Sequence, residues 1–568
     1  KHCGSKKKKE SSGKRIKITG GKLDVEISTA SKRILSVSRT GNKSTPLVTG
    51  PGISAGLVYA GPDRRNRRTY KWSLKKTKPD VVIKTANRVV VRLAGSFNSR
   101  SGKPVAELIL FLEIYREVPE IRLEPVFIFM GHPNRDLVES LTLTTHHSFN
   151  PDKCKYTLAE ARGPGFSEVI QRVKGTARSP GNGPRWPQAR LVQSGSSFYR
   201  IEKNTSEENA SWLKATEGTK SQGWCHVSDG QTSLTAALRY FWQEYPHSLS
   251  LDCDRGTFTF GLIPPEATPL DLRRYSPVIY GPNVYETGPN GTPYRAGYHG
   301  PYGVAKAHEL MLRFHQPQDH DVAERAVFFN QPCHLMTSPG HFAGSKAAGI
   351  ITPLTPDKYT AIDKVIAETM DFITAEKEHR GWYGLMDYGD IMIAYYSDID
   401  HWAYDDGGYA WLNTEESVDH GLWLSALRAG RPDWLAAAID MSRHNRDVDV
   451  CHRGLFKGTG SRHNVNHWGD ADKEWRISMP LVRRFHSYVT ADPWTAECID
   501  DTVAVFQSYT RTAKTGPNMT SALAGIFTKW EMHHNRTDEL TLRRLADGFA
   551  KAVRPDGQFT YKLHANLT

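Results

Sequence analysis

The sequence has little cysteine and no long apolar run. Its seven cysteines are widely spaced over 568 residues and include no CxxC pair. This pattern implies neither a disulfide framework nor a structural zinc motif, although one bridge, such as Cys225 to Cys253, stays open. No stretch approaches the roughly 18 consecutive apolar residues of a membrane span, which predicts a soluble protein. Coiled-coil composition and simple repeat arrays are also absent.

Positive charge is concentrated at one end of the chain. The net charge is +13, and residues 1–15 carry seven basic side chains against one acidic one. We expect this segment to be a solvated basic tail, because no nucleic-acid recognition motif accompanies it. The rest of the chain is mildly basic, which suits an anionic partner such as an acidic polysaccharide. Neither a nucleic acid nor a membrane is expected as a partner.

Apolar periodicity divides the remaining chain into three parts. Short runs with period-two alternation predict a small β-barrel or sandwich over residues 16–96. Further strand-like runs up to about residue 350 predict a large antiparallel β-sandwich over 97–350. After Pro353 the period changes to 3.6, which predicts seven or eight helices arranged as an α/α toroid over 351–568. A closed ring of six hairpins needs roughly twelve helices, so we expect an open or incomplete toroid.

Half of the tryptophans lie in one part of the predicted toroid, mixed with His, Asp, Asn and Arg. Aromatic rings beside hydrogen-bonding groups suit a sugar, which presents C–H faces and hydroxyl edges. Each ring taken singly fits a core position between helices, but the cluster as a whole predicts a groove. Its members are Trp382, Trp402, Trp411, Trp423, Trp434, Trp468 and Trp475.

The densest group of chemically active side chains lies between Gly458 and Asp470. His463 and His467 are four residues apart, which places them on one side of a helix or a strand. We interpret the group as catalytic or substrate-binding; a polar turn and a metal site are the alternatives, and the zincin glutamate is absent. The group comprises Arg462, His463, Asn464, Asn466, His467 and Trp468.

Three further groups of polar residues are candidates for the same site. Asp387 and Asp390 flank Tyr388 in a glycine-containing turn, where they suit either helix capping or sugar binding. Asn413 or Thr414 is expected to cap the helix that carries His420, and Glu415 and Glu416 suit its first turn. Lys306 and His308 would share one strand face, either in solvent or in the binding groove.

These motifs together resemble the exo-rhamnogalacturonan lyase family of polysaccharide lyases. The resemblance implies an N-terminal RIFT-type β-barrel, a central β-sandwich and a C-terminal α/α toroid, in the order of the predicted elements. It spans nearly the whole chain in element order. The residues that carry it are Gly303–Leu310, Asp387–Asp390, Asn413–Glu415 with His420, Leu427–Gly430, Arg443–His444 with Asp447–Asp449, and Arg462–Trp468.

The resemblance implies cleavage of a uronic-acid polymer by β-elimination. A base removes the C5 proton, an acid protonates the C4 oxygen, and cationic or hydrogen-bonding groups neutralise the sugar carboxylate. We expect His463 or His467 as base and Tyr388 as acid. The carboxylate would be held by Arg462, Asn464 and Asn466. The substrate-positioning groups would be Asn413, Glu415, His420, Asp390, Trp468, Lys306 and His308.

Other functions stay open at this point. A toroid hydrolase could use two carboxylates such as Asp390 and Glu415, and a noncatalytic protein could bind the same sugar. We expect no cofactor and no bound metal, with Ca²⁺ left open. The expected location is extracellular or periplasmic, with the cytoplasm as the alternative. The polymer, exo or endo action, and the oligomeric state are not determined by the sequence.

Overall fold

The computed structural model describes most of the chain after the basic tail. The described residues are 14–74, 77–170, 185–275, 300–316, 319, 321–354, 360–403, 411–412, 414, 417–454, 456–461, 473–509 and 517–557. The chain divides into two compact units. The first comprises Lys1–Phe127, Leu137–Leu270 and Ala307–Pro332. The second comprises Ile128–Asp136, Asp271–Lys306 and Cys333–Thr568.

The N-terminal and central parts are built from antiparallel strands. A four-stranded sheet contains β1 (Arg15–Ile18), β2 (Leu23–Ser28), β3 (Leu35–Arg39) and β4 (Asn42–Pro46). The next strands are β5 (Val48–Ala60), β6 (Arg68–Ser73), β7 (Asp80–Lys84), β8 (Arg88–Asn98), β9 (Pro104–Tyr115), β10 (Glu120–Phe129), β11 (Leu137–His147), β12 (Lys155–Leu158) and β13 (Phe166–Val169). They are followed by β14 (Gln188–Gly195), β15 (Phe198–Asn204), β16 (Leu213–Gly218), β17 (Trp224–Ser228), β18 (Ser233–Leu238), β19 (His247–Asp252), β20 (Thr257–Ile263), β21 (Ala305–Ala307) and β22 (Leu310–His315).

Two layers of the sandwich follow from the strand pairing. One sheet has the order β16, β15, β14, β19, β20, β11, β5, β6. The other contains β13, β12, β17, β18, β22 and β10. Because β6 pairs with both β5 and β8, it joins the layers into a nearly closed barrel. The expected fold class of barrel, antiparallel sandwich and helical C-terminal part is therefore confirmed.

Strand burial shows which faces form the core. Along β11 the side chains of Leu143, Thr145 and His147 are buried, as a period of two residues requires for one face of a sheet. All six positions of β18 are buried: β17 and β22 pair along its two edges, and Ala237 packs in a cluster with Ala326 and Phe329. The core of the sandwich therefore continues on both sides of β18.

The helices lie after the last long strand. They are α1 (Val322–Asn330), α2 (Pro339–Ser345), α3 (Thr360–Arg380), α4 (Val418–Ala429), α5 (Pro432–Asp447), α6 (Pro480–Thr490), α7 (Pro493–Tyr509), α8 (Pro517–His533) and α9 (Arg536–Ala552). Three two-stranded or single-turn elements interrupt them, namely β23 (Tyr395–Tyr396) with β24 (His401–Trp402), β25 (Gly460–Ser461) with β26 (Lys473–Glu474), and the 3₁₀ turn Trp475–Ile477.

Helices α3 to α9 are the seven that the 3.6-residue period predicts, counted over the described residues. Short links of two residues join α4 to α5, α6 to α7, and α8 to α9, so each pair forms a hairpin. Prolines in the first turns of α5 and α6 mark where these helices begin. Proline is tolerated there because the backbone N–H groups of the first turn have no partner within the helix. None of the described helices is long and apolar enough to cross a bilayer.

The expectation of continuous β-structure up to about residue 345 is wrong, because α1 and α2 lie in that region. The nine-residue α1 buries only Ala326 and Phe329, against Trp224 and Met311, so its apolar period is too short to be recognised. Capping by Ser338 with Pro339 at the first turn is the signal for α2. The domain boundaries at residues 97 and 351 stay predictions.

The cysteine bridge that the sequence left open is not formed. Cys225 and Cys253 are both buried free thiols; burial raises the pKa of Cys225, and a hydrogen bond with Cys154 together with burial raises the pKa of Cys253. The remaining described cysteines are also free, and Cys3 lies outside the described residues.

Buried histidines make the stability of the sandwich dependent on pH. His147 contacts the Leu47 carbonyl and the Thr145 hydroxyl, and burial lowers its pKa to about 3. The unfolded chain therefore binds a proton between pH 6.5 and 3 that the folded chain rejects, so stability falls as the pH drops. At pH 5 we expect this histidine alone to contribute a loss of about 2 kcal/mol.

Hydrogen exchange of β11 peptides at pH 7.5 and pH 5, corrected for intrinsic rates, measures this effect. The variant His147→Gln should show a smaller loss of protection between the two pH values than the wild type does. Equal losses in the two proteins would contradict the assignment.

Candidate active site in the helical unit

Helix α5 is unusual because its polar half is buried. After Arg431 and Pro432, its first turns place Trp434, Leu435 and Ala438 in the apolar core of the unit. The following residues stay buried although they are polar or charged, and comprise Asp440, Ser442, Arg443, His444, Asn445, Arg446 and Asp447. Buried polar groups must be paired to be tolerated, so the partners of this half of α5 define a candidate site.

Asp440 holds two side chains from other elements. Its Oδ2 accepts a hydrogen bond from Tyr388 Oη at 2.7 Å and from Lys377 Nζ at 2.6 Å. The Lys377 ammonium also lies 4.2 Å from the ring centroid of Tyr388. The expected acid Tyr388 is thus a buried phenol between a carboxylate and a cation, with its proton directed at Asp440.

His444 lies between two buried carboxylates. Its Nε2 is 3.1 Å from Asp390 Oδ2 and 3.8 Å from Asp449 Oδ1. The other oxygen of Asp390 accepts the backbone N–H of Ile391 at 2.7 Å. The carboxylate of Asp390 therefore lies against a buried imidazole, and its expected role in sugar binding stays a prediction.

Arg446 is fully bound by the neighbouring helices. Its guanidinium makes two hydrogen bonds to the carboxylate of Asp447, at 2.7 and 3.2 Å, and pairs with Asp492 on the loop before α7. Asp447 also accepts the indole N–H of Trp494 at 2.9 Å. This network connects α5 to α7, and such paired burial is structural in character.

A second buried arginine, Arg483 on α6, has a different environment. Nη1 donates to Ser478 Oγ at 3.2 Å, while Nε and Nη2 have no hydrogen-bond partner among the described residues. Burial lowers its pKa, and the carboxylates of Asp419 and Asp449 oppose that shift. A guanidinium presents its N–H groups as a planar fork that fits a carboxylate, so Arg483 can bind one more anionic or hydroxyl group.

Asp419 on α4 faces Arg483 and is itself fully buried. Burial raises its pKa to about 6, against the opposing charge of Arg483 and the amide of Asn445. Together Asp419, Asn445, Asp449 and Arg483, called here the Arg483 cluster, combine a positive fork with a titratable carboxyl group.

Most of the residues expected in the site lie outside the described residues. They are Arg462, His463, Asn464, Asn466, His467, Trp468, Asn413 and Glu415, with the neighbouring Glu416. The ends of the 462–472 segment are described: Gly460 and Ser461 pair with Glu474 and Lys473. Gly460 also bridges to Val450, next to Asp449 of the Arg483 cluster. The described residues on both sides of 462–472 therefore pair with each other near Val450, the residue after Asp449, while the roles of residues 462–472 stay predictions.

Three further expected residues, His420, Lys306 and His308, are described. His420 is half-buried, its ring stacks on Phe485 at 5.8 Å, and burial lowers its pKa. Its helix is preceded by Ser417 in the left-handed region without a side-chain cap, so the expected cap by Asn413 or Thr414 is wrong. Lys306 and His308 are both buried, and a solvated strand face is therefore also wrong for them.

The tryptophans are mainly core residues. Trp382, Trp402, Trp423 and Trp434 are buried in one apolar cluster, with Trp411 packed against it. The interpretation as a groove is wrong for these rings, because they fill the space between helices. Trp468 lies outside the described residues, and so does the side chain of Trp475.

Sequence reasoning missed Arg483. The run Arg483-Arg484 in α6 gives no indication of which side chain faces inwards. Arg484 pairs with Glu531 at 3.0 Å and stacks on Phe485. A pattern signal does exist, since Arg483 follows the buried Val482 on a strongly amphipathic helix, where a charged residue at a core position is unusual.

Comparisons with known proteins agree with this architecture. Residues 167–326 match the central beta sandwich domain of PcRGLX-like proteins, and residues 332–554 match the C-terminal alpha/alpha toroid domain of PcRGLX-like proteins. In both regions the chain is PcRGLX-like. The expected α/α toroid is thereby confirmed.

A curated relative and several solved structures also match this chain, at sequence identities of 30% and 12% in the examples that follow. The uncharacterized protein YetA of Bacillus subtilis (strain 168) is 30% identical over 374 residues, or 62% of this chain, and the match spans 43% of YetA, less than half of its length. A structure described as a polysaccharide lyase covers 94% of this chain and 76% of its own, at 12% identity and a TM-score of 0.24. The α-N-acetylgalactosaminidase NagBb of Bifidobacterium bifidum covers 61% and 45%, at 12% identity and a TM-score of 0.26.

The raised pKa of Asp419 predicts an opposite pH effect to that of the buried histidines. The folded chain keeps this proton between pH 3.8 and about 6, where the unfolded chain has lost it. The stability due to Asp419 therefore decreases as the pH rises through this window, by about 3 kcal/mol in total. The variant Asp419→Asn carries no such proton and lacks this decrease.

Denaturant unfolding followed by tryptophan fluorescence at pH 4, 5, 6 and 7 compares the two proteins. The stability of Asp419→Asn relative to the wild type should rise between pH 4 and pH 7. A difference that stays constant with pH would show that Asp419 titrates normally.

Proposed function

We propose that this protein is a carbohydrate-active enzyme, and specifically a polysaccharide lyase that cleaves a rhamnogalacturonan-like polymer by β-elimination. The PcRGLX-like sandwich and toroid domains support the carbohydrate-active class. The observation that carries the proposed lyase reaction is the buried Arg483, whose Nε and Nη2 have no hydrogen-bond partner in the part of the chain that the structure describes. An acidic polymer as substrate and a location outside the cytoplasm, extracellular or periplasmic, are part of the proposal.

Arg483 addresses the main difficulty of the reaction. The C5 proton of a uronate is removed only if the charge that develops on the neighbouring carboxylate is neutralised. Arg483 has two nitrogen atoms without partners among the described residues, and it lies in a buried environment where electrostatic interactions are stronger than in water. We propose that it binds the uronate carboxylate, a role that the sequence suggested for Arg462, Asn464 and Asn466.

Proton transfer is assigned to residues that the sequence puts forward for it. His463 or His467 would be the base, because an imidazole can take a proton near neutral pH, and Gly460, shortly before them in the chain, bridges to Val450, the residue after Asp449. Tyr388 would protonate the C4 oxygen after its hydroxyl turns away from Asp440, and Lys377 would stabilise the phenolate that remains. Asp390 and Asp449 would hold His444 in one orientation.

One observation favours a hydrolase as the second candidate. A carboxyl group with its pKa raised to about 6, as burial gives Asp419, is what a general acid for glycoside hydrolysis needs. The products separate the two reactions: elimination leaves a C4–C5 double bond that absorbs in the ultraviolet, whereas hydrolysis adds water and leaves no chromophore.

Replacement of Arg483 tests the role of the fork. With rhamnogalacturonan I as substrate, Arg483→Gln should lower kcat/KM for the ultraviolet-absorbing product by about 10²- to 10³-fold, since it removes a donor to the developing charge. Arg484→Gln is the matched control on the same helix and should keep most of the activity, because Arg484 pairs with Glu531.

Thermal unfolding of both variants controls for folding. Full activity of Arg483→Gln would disprove the carboxylate role. A product without ultraviolet absorbance, detected by mass, would show that the hydrolase alternative is right.

Replacement of the two histidines tests the base. His463→Ala and His467→Ala, made separately, should abolish turnover in at least one case, because no other group takes the C5 proton in the proposed reaction. His533→Ala serves as the control, since His533 pairs with Asp500 on the surface of the helical unit. Initial rates in the ultraviolet and circular dichroism spectra are the measurements. Wild-type rates for both variants would place the base elsewhere.

A further inference from the structure

Three buried side chains of types that bind metals meet in the β-sandwich, within the first of the two compact units. The carboxylate of Glu244 and the imidazoles of His247 and His308 place one ligand atom each within 4.8 Å of one another. Each residue is at most 1% exposed. Glu244 lies in the link between β18 and β19, His247 begins β19, and His308 lies between β21 and β22.

The orientation of His247 suits metal binding. Its Nδ1 lies 3.1 Å from the Phe241 carbonyl, which can only accept a hydrogen bond, so Nδ1 carries the proton. Nε2 is then the basic nitrogen. A backbone carbonyl that fixes the tautomer in this way is typical of histidines that bind metals.

The separations between the ligand side chains are close to those that a shared metal ion requires. His308 Nδ1 lies 3.9 Å from Glu244 Oε2, and the rings of His247 and His308 are 5.2 Å apart at an angle of 75°. Side-chain movements of about 1 Å or less would bring all three atoms to zinc distances of about 2.0–2.2 Å. A cation would also offset the cost of burying the Glu244 carboxylate.

We propose that Glu244, His247 and His308 bind one divalent transition-metal ion, with zinc as the metal that fits best. Two nitrogens and one carboxylate oxygen suit zinc, whereas calcium and magnesium prefer oxygen ligands throughout. The three ligands occupy core positions of the sandwich, at the start of β19 and in the links beside β18 and β22. The role of the metal is therefore structural.

The position of the ligands explains what the metal would stabilise. β19 pairs with β14 and β20 in one sheet, whereas β22 pairs with β18 and β10 in the other. A metal bound by His247 and by His308 would link the two layers of the sandwich. Such a link is independent of the proposed lyase reaction.

Metal analysis of the tag-free full chain tests the proposal. After dialysis against a chelator and then against zinc sulfate, the wild type should hold one zinc ion per chain, and zinc should raise its melting temperature. Glu244→Gln and His308→Asn should bind zinc at least tenfold more weakly and lose that increase. The control His147→Asn alters a buried histidine bonded to Leu47 and Thr145, and should bind zinc as the wild type does.

X-ray absorption of the zinc-loaded wild type keeps the test independent of whether the variants fold. It should show nitrogen and oxygen ligands, with the scattering of two imidazoles. Absence of zinc from the wild type, sulfur scattering, or unchanged affinity in Glu244→Gln and His308→Asn would each overturn the proposal.

Discussion

The burial of charge along one helix constrains the whole helical unit. The second half of α5 places carboxylates, an imidazole and guanidinium groups where water does not reach them. Burying each such group costs several kcal/mol unless it is paired. The partners come from different elements: Lys377 from α3, Asp390 from the segment between α3 and β23, and Asp492 from the link between α6 and α7. The packing around α5 is therefore determined by directional bonds as well as by apolar contact, which limits the arrangements that the hairpins can adopt.

Two buried arginines of this network differ in how many hydrogen bonds their guanidinium groups make. This difference separates a structural arginine from a candidate functional one. Arg446 is bonded to Asp447, Asp492 and Thr495, so its guanidinium has no need of a ligand. Arg483 is equally buried but makes one hydrogen bond, to Ser478, among the described residues. A protein tolerates buried donors without protein partners where ordered water or a bound molecule supplies the missing hydrogen bonds. The adjacent carboxyl group with a raised pKa favours a bound molecule, because active sites are where such shifts concentrate.

The sequence predicts the helices well because their signals are local. The 3.6-residue period places α4 and α7 within about two residues, and Pro432 marks the start of α5. Side-chain roles are not local. The sequence does not show whether a tryptophan lines a groove or fills a core. The packing of Trp382, Trp402 and Trp423 shows that these three rings belong to the core. The sequence does not distinguish Arg483 from Arg484, because the direction in which each side chain points depends on how α6 packs against its neighbours.

The same reasoning explains why the metal ligands could not be recognised from the chain. Glu244 and His247 are close in sequence, but a pair of ligands is common and predicts nothing by itself, and His308 follows far downstream. The pairing of β18 with β22 brings the third ligand to the first two. The donor sets of the two proposed sites also differ: two imidazoles and a carboxylate suit a structural metal ion, whereas the guanidinium of Arg483 suits a carboxylate without a metal. Removal of zinc should therefore weaken the sandwich before it changes the chemistry of the helical unit.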